Sequence, residues 1–480
     1  MRRLAVALLR WLAEALVRLY YPRRSVQGAG YLPSGGPALF VANHPNGLLD
    51  PLVLRVVIGR PVRFLAKSTL WGNPFGRLAM DAFQCLPVYR LQDARPQDAG
   101  QNANIVGALG GQPPGVAAPP ARSRFVRRNE ETFARCRAEL ATGAELALYP
   151  EGTSHSDPAL KPLKSGAARI ALSAAAQAGA SGVRKVATGT APIPMPVVVP
   201  VGTHYDDKVV FRSGVHLVIG PPIDLTDHLR KFAGSEKEGI ESLTAEIRAR
   251  LDELVLQAET RELLAGIARV ASWTAADADD DSPQRRHART HELLAAYRHL
   301  KARDPLRLEQ VAETARRYAR TLEQLGVRDP WALEAPRVSP GSVLVSLIKT
   351  VMMLPAASWG ALTSWVPYRL SGLLSARLTR DEDVLSTIKM IVGFTILVAT
   401  WLVEAAFVGW RWGAGWGAAT LLFAPLAGYA ALRLGETLHE VAEAVRHLGW
   451  RRRGSTVHHL AERRRRLAEE VAGALREASR

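Results

Sequence analysis

The C-terminal third of the chain contains three long runs that carry almost no charge. Residues 350–368 and 412–432 contain no Asp, Glu, Lys or Arg, and residues 390–410 contain only Glu404. A helix as long as the last run measures about 30 Å, which matches the hydrocarbon core of a bilayer. We therefore predict a membrane region in this part of the chain.

The last two runs form a predicted membrane hairpin, residues 388–432. Tryptophans cluster around its short turn, as expected at a membrane–water interface: Trp401, Trp410, Trp412 and Trp416. The alternative, buried helices of a soluble domain, suits such a turn less well. Arginines flank the outer ends of the hairpin (Arg369, Arg377, Arg380 and Arg433), whereas the turn holds only Arg411. This bias of positive charge predicts that both ends lie in the cytoplasm.

Residues 350–368 are a less regular candidate, because they contain Pro355 and Pro367 and follow Lys349. If this run also crossed the bilayer, the N-terminal part of the chain would lie on the outer side. We therefore expect the run to be re-entrant or to lie in the membrane interface.

Residues 1–24 predict an amphipathic helix. Arg10, Glu14 and Arg18 interrupt an apolar segment and fall on one face at about 100° per residue. No small-residue cleavage site follows, so the segment is not typical of a secretion signal. We predict a helix on the membrane surface, and the alternative is a helix packed in the core of the next domain.

Residues 25–225 show short apolar runs that alternate with helical segments, which is typical of an α/β domain. We predict a mixed central sheet flanked by helices. The predicted strands are 37–43, 62–66, 83–88, 145–149, 197–201, 208–211 and 215–220, and the predicted helices are 51–58, 129–141 and 165–179. Residues 93–128 are rich in Gly, Pro, Ala and Gln and are expected to form a flexible loop.

The other segments differ in composition. We predict a charged helical appendage at 226–340, a membrane region at 341–435 and a basic helical tail at 436–480. The net charge of +17 favours anionic partners such as lipid headgroups. No basic patch with interleaved aromatic residues supports nucleic acid as a partner. Two cysteines exclude a disulfide scaffold, and the histidines show no paired spacing for a metal.

Chemistry-bearing residues follow the first predicted strand, in VANHPNGLLDP (41–51). His44 lies at the carboxyl end of that strand, where α/β folds place their sites, and Asp50 follows closely. One interpretation is a catalytic pair, with His44 as general base and Asp50 fixing its tautomer. The alternative is that Asp50 caps a helix that begins at Pro51 and that His44 is an ordinary loop residue.

A second polar group follows the strand at 145–149, in YPEGTSHS (149–156). Glu151 and the hydroxyls of Thr153 and Ser154 can hold a polyol, and Gly152 permits close approach of a ligand to the backbone. The alternative is an ordinary hydrophilic turn.

Two cations are candidate phosphate ligands. Lys164 lies just before a predicted helix, so its ammonium and the N–H groups of that helix can meet one phosphate. Arg90 ends the segment CLPVYR (85–90), and its alternative role is a surface charge at a strand end.

These segments together resemble the glycerophospholipid acyltransferase family. NHPNGLLDP (43–51) is similar to the family's His–Asp block and CLPVYR to its second block, which ends in arginine. YPEGTS (149–154) is similar to the third block and PMPVVVPVG (194–202) to the fourth. The four blocks occur in the family's order.

The resemblance implies transfer of an acyl group from acyl-CoA or acyl-carrier protein to a hydroxyl of a glycerol-phosphate acceptor. No metal, cofactor or acyl-enzyme is implied. His44 would deprotonate the acceptor hydroxyl with the support of Asp50. The implied acceptor-binding residues are Arg90, Glu151, Gly152, Thr153, Ser154, His155 and Lys164.

Two departures resemble a subgroup that acylates glycerol-3-phosphate or dihydroxyacetone phosphate. Five residues separate His44 from Asp50 where the family usually has four, and Ser154 replaces the arginine usual in the third block. Lys164, Arg90 or His155 would then contact the phosphate, although His155 is as well suited to bracing the turn.

We therefore expect a phospholipid-biosynthetic O-acyltransferase at the inner membrane, with its catalytic domain facing the cytoplasm. The acceptor would be glycerol-3-phosphate, dihydroxyacetone phosphate or lysophosphatidic acid, and membrane lipids would be partners. Two interpretations stay open: a thioesterase or lipid transacylase that uses the same pair, and a non-catalytic membrane protein that binds lipid phosphates.

Overall fold

The computed structural model describes residues 2–89, 121–186, 195–275, 282–325, 340–451 and 454–479. Arg90 and most of the expected 93–128 loop lie outside these residues. The chain forms two compact units. The first consists of Met1–Ser156 and Leu160–Val255, and the second of Asp157–Ala159 and Leu256–Arg480.

The first unit is an α/β domain that begins with a long helix. Its helices are α1 (Arg2–Tyr20), α2 (Leu49–Ile58), α3 (Pro74–Ala82), α4 (Ala121–Ala141), α5 (Gly166–Val186), α6 (Thr226–Gly234) and α7 (Glu236–Leu254). Its strands are β1 (Arg23–Gln27), β2 (Ala38–Ala42), β3 (Arg63–Lys67), β4 (Leu86–Val88), β5 (Glu145–Leu148), β6 (Val197–Tyr205) and β7 (Gly214–Ile219). The residues 121–128, expected in the flexible loop, are helical.

The strands form one mixed sheet in the order β1-β7-β6-β2-β5-β3-β4. β6, β2, β5, β3 and β4 run parallel to one another, whereas β7 is antiparallel to β6 and β1 is parallel to β7. Phe40 of β2 lies beside Ala147 of β5 and Val199 of β6. The predicted mixed α/β sheet is confirmed.

The centre of the sheet is buried on both faces. Every residue of β2, ALFVA, is buried, as expected of a strand in a largely parallel sheet. On one face, Leu39 and Val41 share a hydrophobic cluster with residues of α4, α5 and α7. α7 thus belongs to this domain, whereas a separate appendage was expected from residue 226 onward. The apolar face of α7 explains the difference, because this face is covered only when it packs on the sheet. It consists of Ile240, Leu243, Ile247 and Leu251.

Most of the predicted strands are found, but the prediction of a strand at 208–211 is wrong. These residues form a turn instead. The Asp207 carboxylate accepts the backbone N–H groups of Val209 and Val210 at 2.9 and 3.3 Å, which bends the chain after β6. The short strand β1 and the helix α3 were not predicted.

The N-terminal helix α1 packs against α2 and α3. Two of its polar residues face these helices: Glu14 forms an ion pair with Arg55 of α2 at 2.9 Å, and Arg10 donates to the carbonyl of Ala82. Leu4, Leu8 and Trp11 point outward and are 75, 60 and 64% exposed. The side of α1 that remains uncovered is therefore mostly apolar, and Arg3 and Arg18 are exposed as well.

The second unit contains seven described helices. These are α8 (Arg261–Trp273), α9 (Pro283–Arg303), α10 (Pro305–Leu325), α11 (Pro340–Leu378), α12 (Glu382–Trp412), α13 (Ala414–Arg451) and α14 (Gly454–Ala478). Helices α8, α9, α10 and α14 share one hydrophobic cluster, which includes Tyr318, Leu322, Leu460 and Leu467. Arg307 of α10 also pairs with Glu470 of α14 at 2.7 Å. The C-terminal helix, expected as a separate tail, is therefore part of a helical domain.

Helices α11, α12 and α13 pack on one another. Among the described residues, Glu382–Trp412 and Ala414–Leu438 are the two segments long and apolar enough to cross a membrane. α11 is one helix through Pro355 and Pro367. It lies close against α13, since a Cβ added at Gly360 would come within 2.0 Å of the Ala427 carbonyl oxygen. Large apolar side chains of all three helices are exposed, for example Leu362, Val403 and Leu422.

Candidate active site

The candidate site lies where three adjacent parallel strands end. His44 follows β2, Glu151 follows β5 and Tyr205 ends β6. Because parallel neighbours end at the same edge of a sheet, the topology brings together residues that are far apart in sequence. The side chain of Asn43 joins two of these strand ends, since its amide donates to the Thr203 carbonyl and accepts the Thr203 N–H.

His44 and Asp50 form the hydrogen-bonded pair predicted from the sequence. Nδ1 of His44 lies 2.8 Å from Oδ2 of Asp50. The Asp50 side chain is 0% exposed and that of His44 17% exposed, so only the imidazole reaches the surface of the site. Helix α2 begins at Leu49 and Asp50 is inside its first turn, so Asp50 is not the N-cap that the alternative interpretation proposed.

The Asp50 carboxylate receives hydrogen bonds from three directions. Oδ2 also accepts the backbone N–H of Asn46 at 2.7 Å, and Oδ1 accepts the Tyr205 hydroxyl at 2.6 Å. Because the carboxylate is surrounded by donors, the shared proton of the pair belongs on Nδ1 of His44. This tautomer leaves Nε2 with a lone pair, as a general base requires.

The imidazole is held on its face as well as at its edge. The ring of Tyr149, which directly follows β5, stacks on His44 with centroids 4.0 Å apart and an angle of 14° between the planes. Burial, and next the charge of Asp50, raise the pKa of the Tyr149 phenol well above its usual value. Tyr149 therefore stays neutral beside the imidazole.

Glu151 braces the two loops that form the site. Its carboxylate is buried and accepts the backbone N–H of His44 at 3.1 Å and that of Lys161 at 2.8 Å. It also pairs with Nε2 of His155, whose backbone N–H donates to the His44 carbonyl at 3.1 Å. The predicted contact between Glu151 and an acceptor polyol stays a prediction, and these contacts favour a bracing role.

Gly152 and Lys164 lie together in the turn after β5. Gly152 has φ +72°, a left-handed conformation that favours glycine, and a Cβ there would lie 2.5 Å from Nζ of Lys164. The backbone N–H of Lys164 donates to the Pro150 carbonyl at 2.7 Å, which brings the base of the lysine back to this turn. Thr153 and Ser154 complete the turn and are half-buried. Of the predicted site residues, only Arg90 lies outside the described part of the chain.

The family of the domain follows from its sequence match. Residues 23–202, which contain the His44–Asp50 pair and the Glu151 turn, match the Acyltransferase family. These residues are an acyltransferase domain. An uncharacterized acyltransferase of Schizosaccharomyces pombe is 23% identical over 96% of this chain and 79% of its own length. The similarity thus extends beyond residues 23–202 to most of the chain.

Two further similarities cover smaller parts of the chain. Glycerol-3-phosphate O-acyltransferase 2 of Saccharomyces cerevisiae is 40% identical, over 20% of this chain and 11% of that protein. The crystal structure of the 1-acyl-sn-glycerophosphate acyltransferase from Thermotoga maritima is 18% identical and covers 53% of this chain and 80% of its own, with a TM-score of 0.32.

Several residues of the acyltransferase site are not predicted by the sequence. Besides Tyr205 and Tyr149, they include Asn46, whose side-chain amide donates to the Tyr21 hydroxyl at 2.8 Å, and Tyr21 itself, which donates to the Lys208 carbonyl. Nζ of Lys208 donates to the Pro45 carbonyl at 2.7 Å, next to His44. A Tyr-Tyr pair at the end of α1 was visible in the sequence, but nothing in it indicated contact with a loop after β6.

The cysteines of the acyltransferase domain are unsuited to nucleophilic catalysis. Burial raises the pKa of both Cys85 and Cys136 to about 12, so neither forms a thiolate at neutral pH. Among the described residues, no group of three His, Cys, Asp or Glu side chains is arranged to hold a metal ion. The hydrogen-bonded imidazole is the group in this site best suited to move a proton.

Proposed function

We propose that the protein transfers a fatty acyl group from acyl-CoA or acyl-carrier protein to a hydroxyl of a glycerol-phosphate acceptor. The acceptor is glycerol-3-phosphate, dihydroxyacetone phosphate or lysophosphatidic acid. The observation that carries the proposal is the 2.8 Å contact between Nδ1 of His44 and a fully buried Asp50, which leaves Nε2 available to a substrate.

In the proposed reaction, Nε2 of His44 takes the proton of the acceptor hydroxyl as the oxygen attacks the thioester carbonyl. Asp50 stabilises the imidazolium that forms. The tetrahedral intermediate then expels the thiolate of the carrier, which receives the proton from the imidazolium. The thioester bond is exchanged for an oxygen ester, so no resident cofactor, metal or acyl-enzyme is required.

The acceptor phosphate needs a cation close to the imidazole. Lys164 is suited to this role, because its exposed side chain extends along the glycine turn that carries Glu151. We propose Arg90 as a second phosphate ligand on the strength of the sequence resemblance alone. Thr153, Ser154 and His155 would contact the glycerol part of the acceptor.

The membrane arrangement is part of the proposal. Helices α12 and α13 form a hairpin that crosses the bilayer, with its turn at Gly413 outside and both ends in the cytoplasm. The arginine bias around the hairpin supports this orientation. The outward apolar side of α1 would rest in the headgroup layer of the same membrane.

The proposal is tested with the purified full-length protein, a labelled acyl donor and each of the three acceptors in turn. We expect an ester product with at least one acceptor and a loss of about 10² or more in rate for His44→Ala, since a general base typically contributes that much. His291→Ala, at an exposed position of α9, is the control and should match the wild type. Thioester loss that proceeds equally fast without an acceptor would instead indicate a thioesterase.

The role of Lys164 is tested separately. Lys164→Gln should raise the KM for the phosphate-bearing acceptor about 10-fold or more, because a charge-assisted hydrogen bond to the phosphate is lost. The KM for the acyl donor should change little. Lys237→Gln, at a lysine of α7 whose side chain is 84% exposed, controls for the loss of one surface charge. An unchanged acceptor KM in Lys164→Gln would remove Lys164 from the phosphate site.

A further inference from the structure

Among the described residues, Tyr205 makes the one hydrogen bond to the Asp50 carboxylate that comes from outside the loop containing His44. His44 and Asn46 occupy Oδ2, and the Tyr205 hydroxyl occupies Oδ1 at 2.6 Å. Tyr205 ends β6, the strand that pairs with β2. It therefore fixes the carboxylate to the sheet rather than to the loop.

Tyr205 is itself held firmly and stays protonated. Its ring packs on Tyr21 with centroids 5.1 Å apart. Burial, and next the charge of Asp50, raise the pKa of its phenol well above the usual value. The hydroxyl is therefore a donor at neutral pH and well above it.

We propose that Tyr205 is a positioning residue that orients Asp50 and sets the basicity of His44. The inference rests on the proposed role of His44 as general base. A donor on Oδ1 keeps the plane of the carboxylate aligned, so that Oδ2 faces Nδ1. It also draws charge away from Oδ2, which weakens the attraction between the carboxylate and the imidazolium.

Removal of this donor has two separable consequences. The carboxylate gains freedom to rotate, which lowers kcat because the imidazole is less well oriented. The remaining charge on Oδ2 attracts the imidazolium more strongly, which raises the pKa of His44. Since the reaction needs neutral His44, the ascending limb of the kcat/KM profile must move to higher pH. A purely structural contribution of the ring would lower the rate without moving this limb.

Other charged and titratable groups surround the pair. Tyr149 stacks on His44, and Glu151 accepts the His44 N–H and pairs with His155. Nζ of Lys208 contacts the Pro45 carbonyl, and Tyr21 packs on Tyr205. None of these groups is altered by a Tyr205→Phe change. A difference between the pH profiles of the wild type and Tyr205→Phe therefore reports on the loss of the hydroxyl alone.

The experiment compares the pH profiles of the full-length wild type, Tyr205→Phe and Tyr20→Phe. Tyr20→Phe is matched, because the Tyr20 hydroxyl donates to the Val209 carbonyl on the same loop after β6. We expect Tyr205→Phe to lower kcat roughly 10-fold and to move the ascending limb up by about half a pH unit or more. Tyr20→Phe should leave the limb in place. A lower rate with an unmoved limb in Tyr205→Phe would overturn the inference.

A second variant should move the ascending limb in the opposite direction, and it avoids a folding defect. Site-specific replacement of Tyr205 by 3,5-difluorotyrosine keeps the ring and makes the hydroxyl a stronger donor, so the limb should move to lower pH. A shift in the same direction as for Tyr205→Phe, or none, would contradict the inference. The change Tyr205→Phe should also add little in an Asp50→Asn background, because the residue acts through Asp50.

The inference and the proposed function fail in different ways. If His44→Ala keeps its activity, the general base is wrongly assigned. If His44→Ala is inactive but neither Tyr205 variant moves the limb, only the role of Tyr205 is refuted.

Discussion

At the scale of single residues, the site combines contacts within one loop with contacts between strands. His44 and Asp50 lie in the same loop and first helical turn, so their pairing could be predicted from the sequence. Tyr205 and Glu151 reach this pair only because β6 and β5 flank β2. A sequence does not specify which strands are neighbours, and for this reason the contact of Tyr205 with Asp50 and the bracing contacts of Glu151 were not predicted.

Gly152 supports a prediction that separates backbone strain from site geometry. In Gly152→Ala, a left-handed backbone conformation costs about 1 kcal/mol of stability. The new methyl group also displaces Lys164, whose Nζ lies 2.5 Å from the Cβ position. We therefore expect a lower melting temperature and, in addition, a raised KM for the acceptor.

Gly143→Ala is the matched control for this prediction. Gly143 has a similar φ of +84°, but nothing lies within 4 Å of its Cβ position. It should lose comparable stability in thermal denaturation while its acceptor KM stays at the wild-type value. Equal KM values in the two variants would show that the position of Lys164 does not matter for the acceptor.

At the scale of secondary-structure elements, α1 shows what an amphipathic pattern leaves undecided. The sequence predicted one polar and one apolar face, but periodicity cannot determine which face the rest of the protein covers. In the structure Arg10 and Glu14 face α2 and α3, while Leu4, Leu8 and Trp11 are exposed. The two interpretations of this helix are therefore compatible: one side packs on the domain, and the other is free to meet a membrane.

Spin labels in the full-length protein in lipid nanodiscs test the proposed contact of α1 with the membrane. A label at Leu8 or Trp11 should collide more often with oxygen than with a water-soluble nickel complex, because these side chains would lie in the acyl boundary. The control is a label at Arg230 of α6, whose side chain is 75% exposed and belongs to a polar helix. The native cysteines interfere little, since burial raises the pKa of both thiols to about 12. Equal accessibility at positions 8 and 230 would place α1 in water.

At the scale of the whole molecule, the helical domain of the second unit limits the number of membrane crossings. α10 precedes the membrane region and α14 follows it, yet they share a hydrophobic cluster and an Arg307–Glu470 ion pair. Chain segments that share one core lie on the same side of a bilayer. The number of complete crossings between residues 325 and 454 must therefore be even. In the proposed topology the hairpin of α12 and α13 supplies two crossings, and α11 does not add a third.

The packing of α11 beside the hairpin makes the requirement for an even number of crossings hard to satisfy. α11 packs along both hairpin helices, and large apolar side chains on its surface are exposed, for example Met352, Leu362 and Trp365. The uncharged run 350–368 is visible in the sequence. From the sequence alone, the expectation that this run does not cross the bilayer depends only on a cytoplasmic location of the catalytic domain. The shared core of α10 and α14 is an independent reason for the same expectation, and it could not be predicted, because the two helices are separated by more than a hundred residues.

Labelling of single cysteines with a membrane-impermeant maleimide, in sealed vesicles of known orientation, tests this topology. We expect cysteines at Arg298 and Arg466 to react from the cytoplasmic side and a cysteine at Gly413 to react from the opposite side. A cysteine at Ile348, near the start of α11, should react from the cytoplasmic side if α11 does not cross. The pair Arg307→Cys and Glu470→Cys should also be joined in intact membranes by a bis-maleimide whose spacer is as long as the two replaced side chains, because the tips of the native side chains are 2.7 Å apart. Reaction of position 348 from the same side as position 413 would mean that α11 crosses. In that case the packing of α10 against α14 could not persist in the membrane, and the cross-link should fail as well.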